Sequence, residues 1–203
     1  MDEIEKYVEH LKSGGVLVYP TETIWGLGAD FEDQKANEKI YQLKGRHFTK
    51  PLLLLIPHVY WVFRLTTLPE TFKDFLTTLW PSSLTLVLPA SSLIPHWIHQ
   101  GTHFIGLRQS PHPFVKSLLN IYNRPISSTS VNQSGKAPAT DFLSAFQFSK
   151  DRDVKTASWN EERPSSPVSS TVVKLSEDFQ RFSLLREGTF SKEDVERLFK
   201  DFF

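Results

Sequence analysis

The sequence contains no cysteine, and this absence removes several classes of chemistry at once. Disulfide bonds, thiolate nucleophiles, iron–sulfur clusters and cysteine-ligated zinc sites all require cysteine sulfur. The lack of cysteine agrees with residence in a reducing compartment.

Neither sign of charge is in excess. Lys plus Arg and Asp plus Glu each number 23, so the formal net charge at pH 7 is zero. A molecule without net charge has no long-range field to attract nucleic acid. Any site for an anion or for RNA must therefore come from a local cluster of basic residues.

Long apolar runs are also absent. The longest apolar region, PLLLLIPHVYWVF, is broken by Pro57 and His58 and is too short to cross a bilayer. The N-terminal sequence MDEIEKYVEHLKSGG is acidic and amphipathic, unlike a secretion signal or an Arg-rich transit peptide. We therefore expect a cytoplasmic protein with no membrane partner.

The overall amino-acid composition is typical of a globular domain. Of the 203 residues, 39% are hydrophobic and 23% are charged, which is ordinary usage for a folded chain. A chain of this length can bury one substantial core. We expect a single domain over residues 1–203.

Strand-like and helix-like segments alternate along the chain. Strands are predicted in VLVY, LLLLI (52–56), LTLVL (84–88), FIGLR (104–108), PISSTS (125–130), STVVKL and RFSLLREG. Helices are predicted from Asp2 to Gly14, from Asp33 to Gly45, over roughly 70–79 and 113–122, and from Ser191 onward. This alternation indicates an α/β fold with a mixed, largely parallel sheet flanked by helices. The polar segment 149–169 is interpreted as either a lid or a simple connection.

Unusual polar chemistry follows several of these strands. The first strand runs into PTET and then into GLG, and similar polar groups occur in LR (107–108), STSVN (128–132) and REG (186–188). Ligands of open α/β sheets bind outside the carboxyl ends of strands, on loops held by the scaffold. LKGRHFTKP (43–51) adds the basic side chains of Lys44, Arg46, His47 and Lys50. Together these segments predict an anion pocket.

The residue types suit two kinds of ligand. Lys44 and Arg46 could hold separate oxygens of a polyphosphate, and the hydroxyl and amide groups of 128–132 suit phosphate, ribose or adenine edges. Thr21, Glu22 and Thr23 could hold an ammonium or hydroxyl group, and Arg108 could pair with a carboxylate. Each signal also has a structural alternative: a basic helix end, a serine-rich turn or a structural ion pair. Their joint occurrence favours a site.

Three familiar motifs are incomplete. SGK at 134–136 is not a P-loop, because Ser130 stands where that motif needs glycine and Ala137 follows the lysine. GLG lacks the third glycine of a dinucleotide fingerprint. His96, His99 and His103 are spaced as possible metal ligands but have no acidic or cysteine partner nearby, so we assign no metal site.

A series of motifs carries a family resemblance. GGVLVYPTETIWGLGAD, LKGRHFTKPLLLLI, WPSSLTLVLP, IGLRQSPHP, PISSTSVNQSGKAP, SSTVV and LLREG, in this order, resemble the threonylcarbamoyl-AMP synthases, the YrdC-like family. The resemblance spans about residues 14–188, and the length resembles the short form without an extra C-terminal domain. The pairing of Lys-x-Arg at 44–46 with Ser-x-Asn at 130–132 is its most specific element.

The resemblance implies a reaction. L-threonine, bicarbonate or carbon dioxide, and ATP accompanied by Mg²⁺ would give threonylcarbamoyl-AMP and pyrophosphate. The product would serve threonylcarbamoyladenosine formation in tRNA, and separate partner proteins would perform the transfer. The family fold implied is a twisted mixed α/β sheet around a concave pocket.

The resemblance also assigns residues. Those implied to hold threonine are Thr23, Arg108, Ser128, Ser170 and Thr171. Those implied to face ATP are Lys44, Arg46, Ser130, Asn132 and Arg186, with Lys44 and Arg46 acting in catalysis. Several residues depart from the family pattern: Trp25 for tyrosine, Ser82-Ser83 for Gly-Pro, Gln109-Ser110 for Val-Pro, Val131 for alanine and Lys174 for aspartate.

Two other functions remain open at this point. One is an RNA-binding module whose pocket edge contacts the phosphates of a tRNA or double-stranded RNA backbone through Lys44, Arg46, Lys50, Arg124 and Lys136, although the zero net charge argues against strong binding. The other is the same fold acting on carbamoyl phosphate, as in the related domain of hydrogenase-maturation carbamoyltransferases.

Overall fold

The computed structural model describes residues 3–45, 50–159, 167–200 and 202. Its helices are α1 Glu3–Lys12, α2 Gln34–Lys44, α3 Tyr60–Leu65, α4 Lys73–Leu79, α5 His96–His99, α6 Pro113–Tyr122, α7 Phe142–Ser149 and α8 Lys192–Phe199. Asp2, the predicted start of the first helix, lies outside the described residues. The predicted ends of α2 are confirmed: the Asp33 carboxylate accepts from the backbone of Ala36, and Gly45 ends the helix with φ 56°.

The strands form one mixed sheet. They are β1 Leu17–Tyr19, β2 Gly26–Gly28, β3 Leu53–Leu55, β4 Leu84–Pro89, β5 Phe104–Arg108, β6 Ile126–Ser130, β7 Lys155–Thr156, β8 Thr171–Leu175 and β9 Phe182–Arg186. Their order across the sheet is β7-β1-β2-β6-β3-β5-β4-β8-β9. The continuous apolar run of β3 occupies a central position, as expected for a strand covered on both faces.

The expectation of a mixed α/β sheet is confirmed, although its parallel share is smaller than the alternation suggested. The pairs β1–β7, β3–β5 and β4–β8 are parallel, whereas the other neighbouring pairs are antiparallel. The connections between β1 and β2 and between β8 and β9 are short, so these consecutive strands lie side by side and run antiparallel.

The segment 149–169 is more ordered than a simple linker. Its first residue ends α7, and Lys155–Thr156 forms the edge strand β7. Lys155 donates its backbone N–H to Val16 O and Ala157 donates to Val18 O. Residues 160–166 lie outside the described part of the chain. A lone two-residue strand carries no periodic signal, which is why the sequence pattern missed it.

The two faces of the sheet are covered differently. Leucines and valines of β4, β5 and β8 pack with α2, α4 and α8 in a large core on one face. On the opposite face, α1 and α6 form a second core over Tyr19, Leu55 and Ile126. Because side chains two apart in a strand share a face, Leu53 and Ser128 lie on this second face as well. The helices do not extend over them, and this uncovered region becomes the cavity described below.

Because strand side chains alternate between the two faces of the sheet, Ser170 and Thr171 lie on opposite faces. Thr171 pairs with Leu84 in the sheet and is fully buried. Its hydroxyl donates to Phe190 O at 2.9 Å and accepts from Phe190 N at 2.8 Å. Thr171 therefore ties the chain leading into α8 to the sheet, on the face away from Ser170.

Thr171→Val is expected to lower the free energy of unfolding by about 1–3 kcal/mol, because it removes both hydrogen bonds and leaves backbone groups of Phe190 unpaired. Urea denaturation measures the change. The matched control is Thr77→Val, whose exposed hydroxyl donates to Asp74 O and whose loss should change stability by less than about 0.5 kcal/mol. Equal effects of the two substitutions would contradict the anchoring role of Thr171.

Candidate active site

A cavity of about 550 Å³ lies on the partly covered face of the sheet. Many of its lining residues alternate along successive strands, because residues two apart in a strand share a face. From the strands and their immediate flanks these are Ser128 and Ser130, Gly106 and Arg108, Thr85 and Val87, Ser170, Val172 and Lys174, and finally Arg186. The turn after β1 adds Thr21 and Thr23 at one wall.

Gly106 forms part of the cavity floor. A Cβ atom at this position would stand 3.3 Å from both Leu53 Cβ and Thr85 Cγ2. Side chains on two neighbouring strands thus already fill the lateral space, and the absence of a side chain at 106 leaves the volume above it open.

Arg108 is almost completely buried beside one carboxylate. Its Nη1 lies 3.3 Å from Glu22 Oε1 and donates to Thr23 Oγ1 at 3.4 Å. The other Glu22 oxygen accepts a hydrogen bond from the Ser110 hydroxyl. Within the described residues, Arg108 Nε has no hydrogen-bond partner. The protein therefore holds this guanidinium in place without using all of its donors, which suits a ligand carboxylate.

The turn PTET is ordered by its own threonines. Thr21 Oγ1 donates to Ile24 O at 2.7 Å and accepts from the backbone N–H of Thr23 at 3.1 Å. The two threonine hydroxyls are 3.1 Å apart. Trp25 follows, fully buried and packed edge-on against Phe142. The turn thus places the Thr23 hydroxyl beside Arg108 by local hydrogen bonding.

Arg186 supplies a second guanidinium. Its Nε and Nη2 donate to Ser170 O at 3.0 and 2.8 Å, and Nη2 also donates to Ser170 Oγ at 3.1 Å. Burial and the nearby charge of Arg108 both lower the pKa of Arg186. The described cavity lining contains Arg108, Lys174 and Arg186 but no acidic side chain, and Glu22 pairs with Arg108 alone, so positive charge is in excess, as in an anion site.

Lys44 lies beside the cavity and supports it. Its side chain is 3% exposed, and its Nζ donates to Ser130 O, to Asn132 O at 3.1 Å and to Asn132 Oδ1 at 2.8 Å. Ser130 Oγ also donates to Asn132 Oδ1 at 2.6 Å. These bonds join the end of α2 to Ser130, the last residue of β6, and to Asn132 in the loop that follows, and Ser130 lines the cavity. Arg46 lies outside the described residues.

The structure thus brings many of the expected residues together. Those that line one cavity are Thr23, Arg108, Ser128, Ser130, Ser170 and Arg186. Lys44 and Asn132 stand behind Ser130, and Thr171 lies on the opposite face of the sheet.

Sequence reasoning missed other cavity residues, notably Thr85, Phe104 and Lys174. The Nζ of Lys174 lies 3.6 Å from the centre of the Phe104 ring. The missed signal was alternation: Lys174 is two residues beyond Val172, and Phe104 is four residues before Arg108. Counting in twos from the recognised polar residues would have placed both in the cavity.

The three histidines near α5 stand close together. The ring centres of His96 and His99 are 5.5 Å apart, and those of His99 and His103 are 5.6 Å apart. Burial and these two neighbours lower the pKa of His99. Across the described ranges, no group of three His, Cys, Asp or Glu residues is arranged to hold a metal ion. None of the described helices is long and apolar enough to span a membrane.

The fold and the cavity define an α/β protein whose cationic, hydroxyl-lined cavity suits a small polar ligand carrying negative charge. The chain belongs to the Sua5/YciO/YrdC family, whose model, described as "Telomere recombination", matches residues 9–188.

Curated relatives carry one common name. The threonylcarbamoyl-AMP synthase of Acinetobacter baumannii is 38% identical over 152 residues, which cover 71% of this chain and 80% of the relative. That of Bacillus subtilis is 34% identical over 190 residues, which cover 92% of this chain and 53% of the relative. The chain therefore spans about half the length of the Bacillus protein.

Solved structures show the same fold. The crystal structure of P. abyssi Sua5 complexed with L-threonine aligns with a TM-score of 0.88 at 30% identity, covering 98% of this chain and 58% of that one. E. coli YciO aligns with a TM-score of 0.78 at 22% identity, covering 92% and 89% of the two chains. At 22% identity, the similarity to YciO is evidence of the fold alone.

The charge of the cavity predicts binding of a simple anion. Inorganic pyrophosphate should raise the melting temperature, because a ligand that binds only the folded state stabilises it. Arg186→Gln should reduce this shift, since it removes one of the two guanidinium groups, whereas Lys39→Gln, which breaks an exposed pair with Asp153, should retain it. Thermal denaturation with and without pyrophosphate gives the shifts. A full shift in Arg186→Gln would show that the cavity does not bind the anion.

Proposed function

We propose that this chain is a threonylcarbamoyl-AMP synthase that joins L-threonine, bicarbonate or carbon dioxide, and ATP, with release of pyrophosphate. The observation that carries the proposal is the convergence of two guanidinium groups and several hydroxyls in one cavity. The name shared by the curated relatives and the threonine complex of P. abyssi Sua5 support it. A cavity of about 550 Å³ is in the size range of small-molecule sites.

Threonine occupies the end of the cavity at Arg108. The guanidinium, which lines the cavity, pairs with the carboxylate of the amino acid. Thr23, Ser128 and Ser170 surround the same space and offer hydroxyls to the polar atoms of the substrate. Glu22, held by Ser110, keeps Arg108 oriented.

ATP lies beside threonine. Arg186 and Ser130 face the cavity, whereas Lys44 and Asn132 order the loop that carries Ser130. Arg46, two residues after Lys44, adds a charge for the phosphates. Mg²⁺ enters with ATP as part of the substrate, because the described residues supply no carboxylate cluster of their own.

The reaction needs no protein nucleophile. The threonine amine attacks carbon dioxide, a C–N bond forms and the amine loses a proton, which gives a carbamate. A carbamate oxygen then attacks the α-phosphorus of ATP, and pyrophosphate leaves with the electrons of the broken P–O bond. The chain contributes by holding the reactants together and by balancing the charge of the phosphate oxygens with cations.

The product is a reactive mixed anhydride, so proteins that transfer the threonylcarbamoyl group to tRNA are the expected partners. We place the reaction in the cytoplasm, where ATP and tRNA meet, with any direct RNA contact by this chain being weak. The continuity of the sheet from β7 to β9 supports treating residues 1–203 as one synthase domain.

The direct test is product formation. Purified protein with ATP, Mg²⁺, bicarbonate and L-threonine should release pyrophosphate and yield threonylcarbamoyl-AMP by mass spectrometry, with less product from L-serine. Carbamoyl phosphate in place of bicarbonate tests the related carbamoyltransferase chemistry. Product that depends on carbamoyl phosphate, or tight RNA binding without any adenylated product, would overturn the proposal.

Arg46→Ala should lower the rate by about 30- to 1000-fold, since losing a charge-assisted phosphate contact costs ~2–4 kcal/mol of transition-state stabilisation. Pyrophosphate release under saturating threonine and bicarbonate measures the rate. Arg181→Ala is the matched control, because Arg181 is exposed and paired only loosely with Asp178. Unchanged pyrophosphate release in Arg46→Ala would remove Arg46 from the catalytic site.

A further inference from the structure

The last residue of β1 contacts the cavity from behind. Tyr19 is fully buried in the core formed with α1 and α6. Its hydroxyl donates a hydrogen bond of 2.7 Å to Ser128 Oγ, and Ser128 lines the cavity. The phenol therefore reaches a cavity residue without facing the cavity itself.

The glycines of GLG make this contact possible. A Cβ atom at Gly26 would stand 2.6 Å from Tyr19 Cε2, and one at Gly28 would stand 3.0 Å from the Tyr19 hydroxyl oxygen. Real Cβ atoms do not approach other atoms as closely as 2.6 Å. On its other side, the ring stacks on Phe114 with 6.4 Å between centres. Gly26 thus makes room for the phenol ring, whereas Gly28 is required chiefly by the Ser127 carbonyl oxygen, which would lie 2.0 Å from a Cβ atom there.

The hydrogen bond determines what Ser128 can offer. A serine hydroxyl has one proton to donate, and a tyrosine hydroxyl likewise has one. Tyr19 gives its proton to Ser128 Oγ, so Ser128 keeps its own proton for another acceptor. Ser128 Oγ has no further hydrogen-bond partner within the described residues. Burial raises the pKa of Tyr19 above its ordinary value, so the phenol stays protonated at physiological pH.

We infer that Tyr19 is a positioning residue that fixes Ser128 as a hydrogen-bond donor to the carboxylate of the amino-acid substrate. A carboxylate only accepts hydrogen bonds, so a serine whose oxygen is already engaged by Tyr19 presents the complementary group. Arg108, which lines the same cavity, supplies the charge for the same carboxylate. The identity of the amino acid rests on the proposed function, whereas the contact between Tyr19 and Ser128 does not.

Tyr19→Phe tests the inference, because it removes one oxygen and keeps the buried ring. The KM for L-threonine should rise roughly 3- to 10-fold, the range expected for one lost hydrogen bond, while the KM for ATP stays the same. Tyr7→Phe is the matched control: Tyr7 belongs to the same core, and its hydroxyl contacts Ser158 instead of the cavity. Tyr7→Phe should change neither KM.

A double-mutant cycle separates positioning from general stability. In a Ser128→Ala background, Tyr19→Phe should leave the KM for L-threonine unchanged, because the phenol acts through Ser128. A change of both KM values together, or an undiminished effect in the Ser128→Ala background, would overturn the inference. If Tyr19→Phe does not fold, Gly26→Ala displaces the same ring and should raise the same KM.

Calorimetric titration with L-threonine distinguishes a failure of the proposed synthase function from a failure of the positioning role of Tyr19. If the unmodified chain makes no threonylcarbamoyl-AMP but binds L-threonine more tightly than Tyr19→Phe does, the proposed function fails and the positioning role stands. If the unmodified chain makes the product and Tyr19→Phe binds L-threonine equally well, the positioning role fails. If the unmodified chain neither makes the product nor binds L-threonine, both fail.

Discussion

The partial covering of one sheet face is the constraint on which the site depends. α1 and α6 bury Tyr19, Leu55 and Ile126 but do not extend over the neighbouring strands. Because strand side chains alternate between faces, every second residue of the uncovered strands must face the open space. On the covered face the same alternation yields an apolar core. The uncovered part of the sheet thus forms the cavity wall, and most of its polar groups lie on or next to hydrogen-bonded strands, with Arg186 on the edge strand β9.

The basic side chains in and beside this cavity have different kinds of partner. Arg108 is buried and is matched by Glu22, which Ser110 holds in turn. Arg186 is bound through oxygens of Ser170, and Lys44 through oxygens of Ser130 and Asn132. Burying a cation against neutral oxygens leaves its charge uncompensated. The protein therefore keeps uncompensated positive charge at Arg186 in the cavity, with Lys44 beside the cavity, and this preorganised arrangement suits an anionic ligand.

Much of the fold and of the cavity could be predicted from the sequence. The long apolar or amphipathic segments that became β3, β4, β5, α2 and α6 carry strong periodic signals, and the polar groups at strand ends pointed to the cavity. Short elements such as β7 and α5 carry too few residues for any period to show. Thr171 lies on the face opposite Ser170 because neighbouring residues in a strand point to opposite faces, and the resemblance did not say which of the two faced the ligand. Lys174 continues the alternation that starts at Ser170 and Val172, so counting in twos along this strand would have placed it in the cavity.

Gly106 sets a limit on what this molecule can accommodate. β5 is paired with β3 and β4 on its two sides, so the backbone at this point cannot retreat from a larger residue. A single methyl group would already press on Leu53 and Thr85. Substitution at this one codon is therefore constrained by the packing of the sheet itself, which fixes the depth of the cavity.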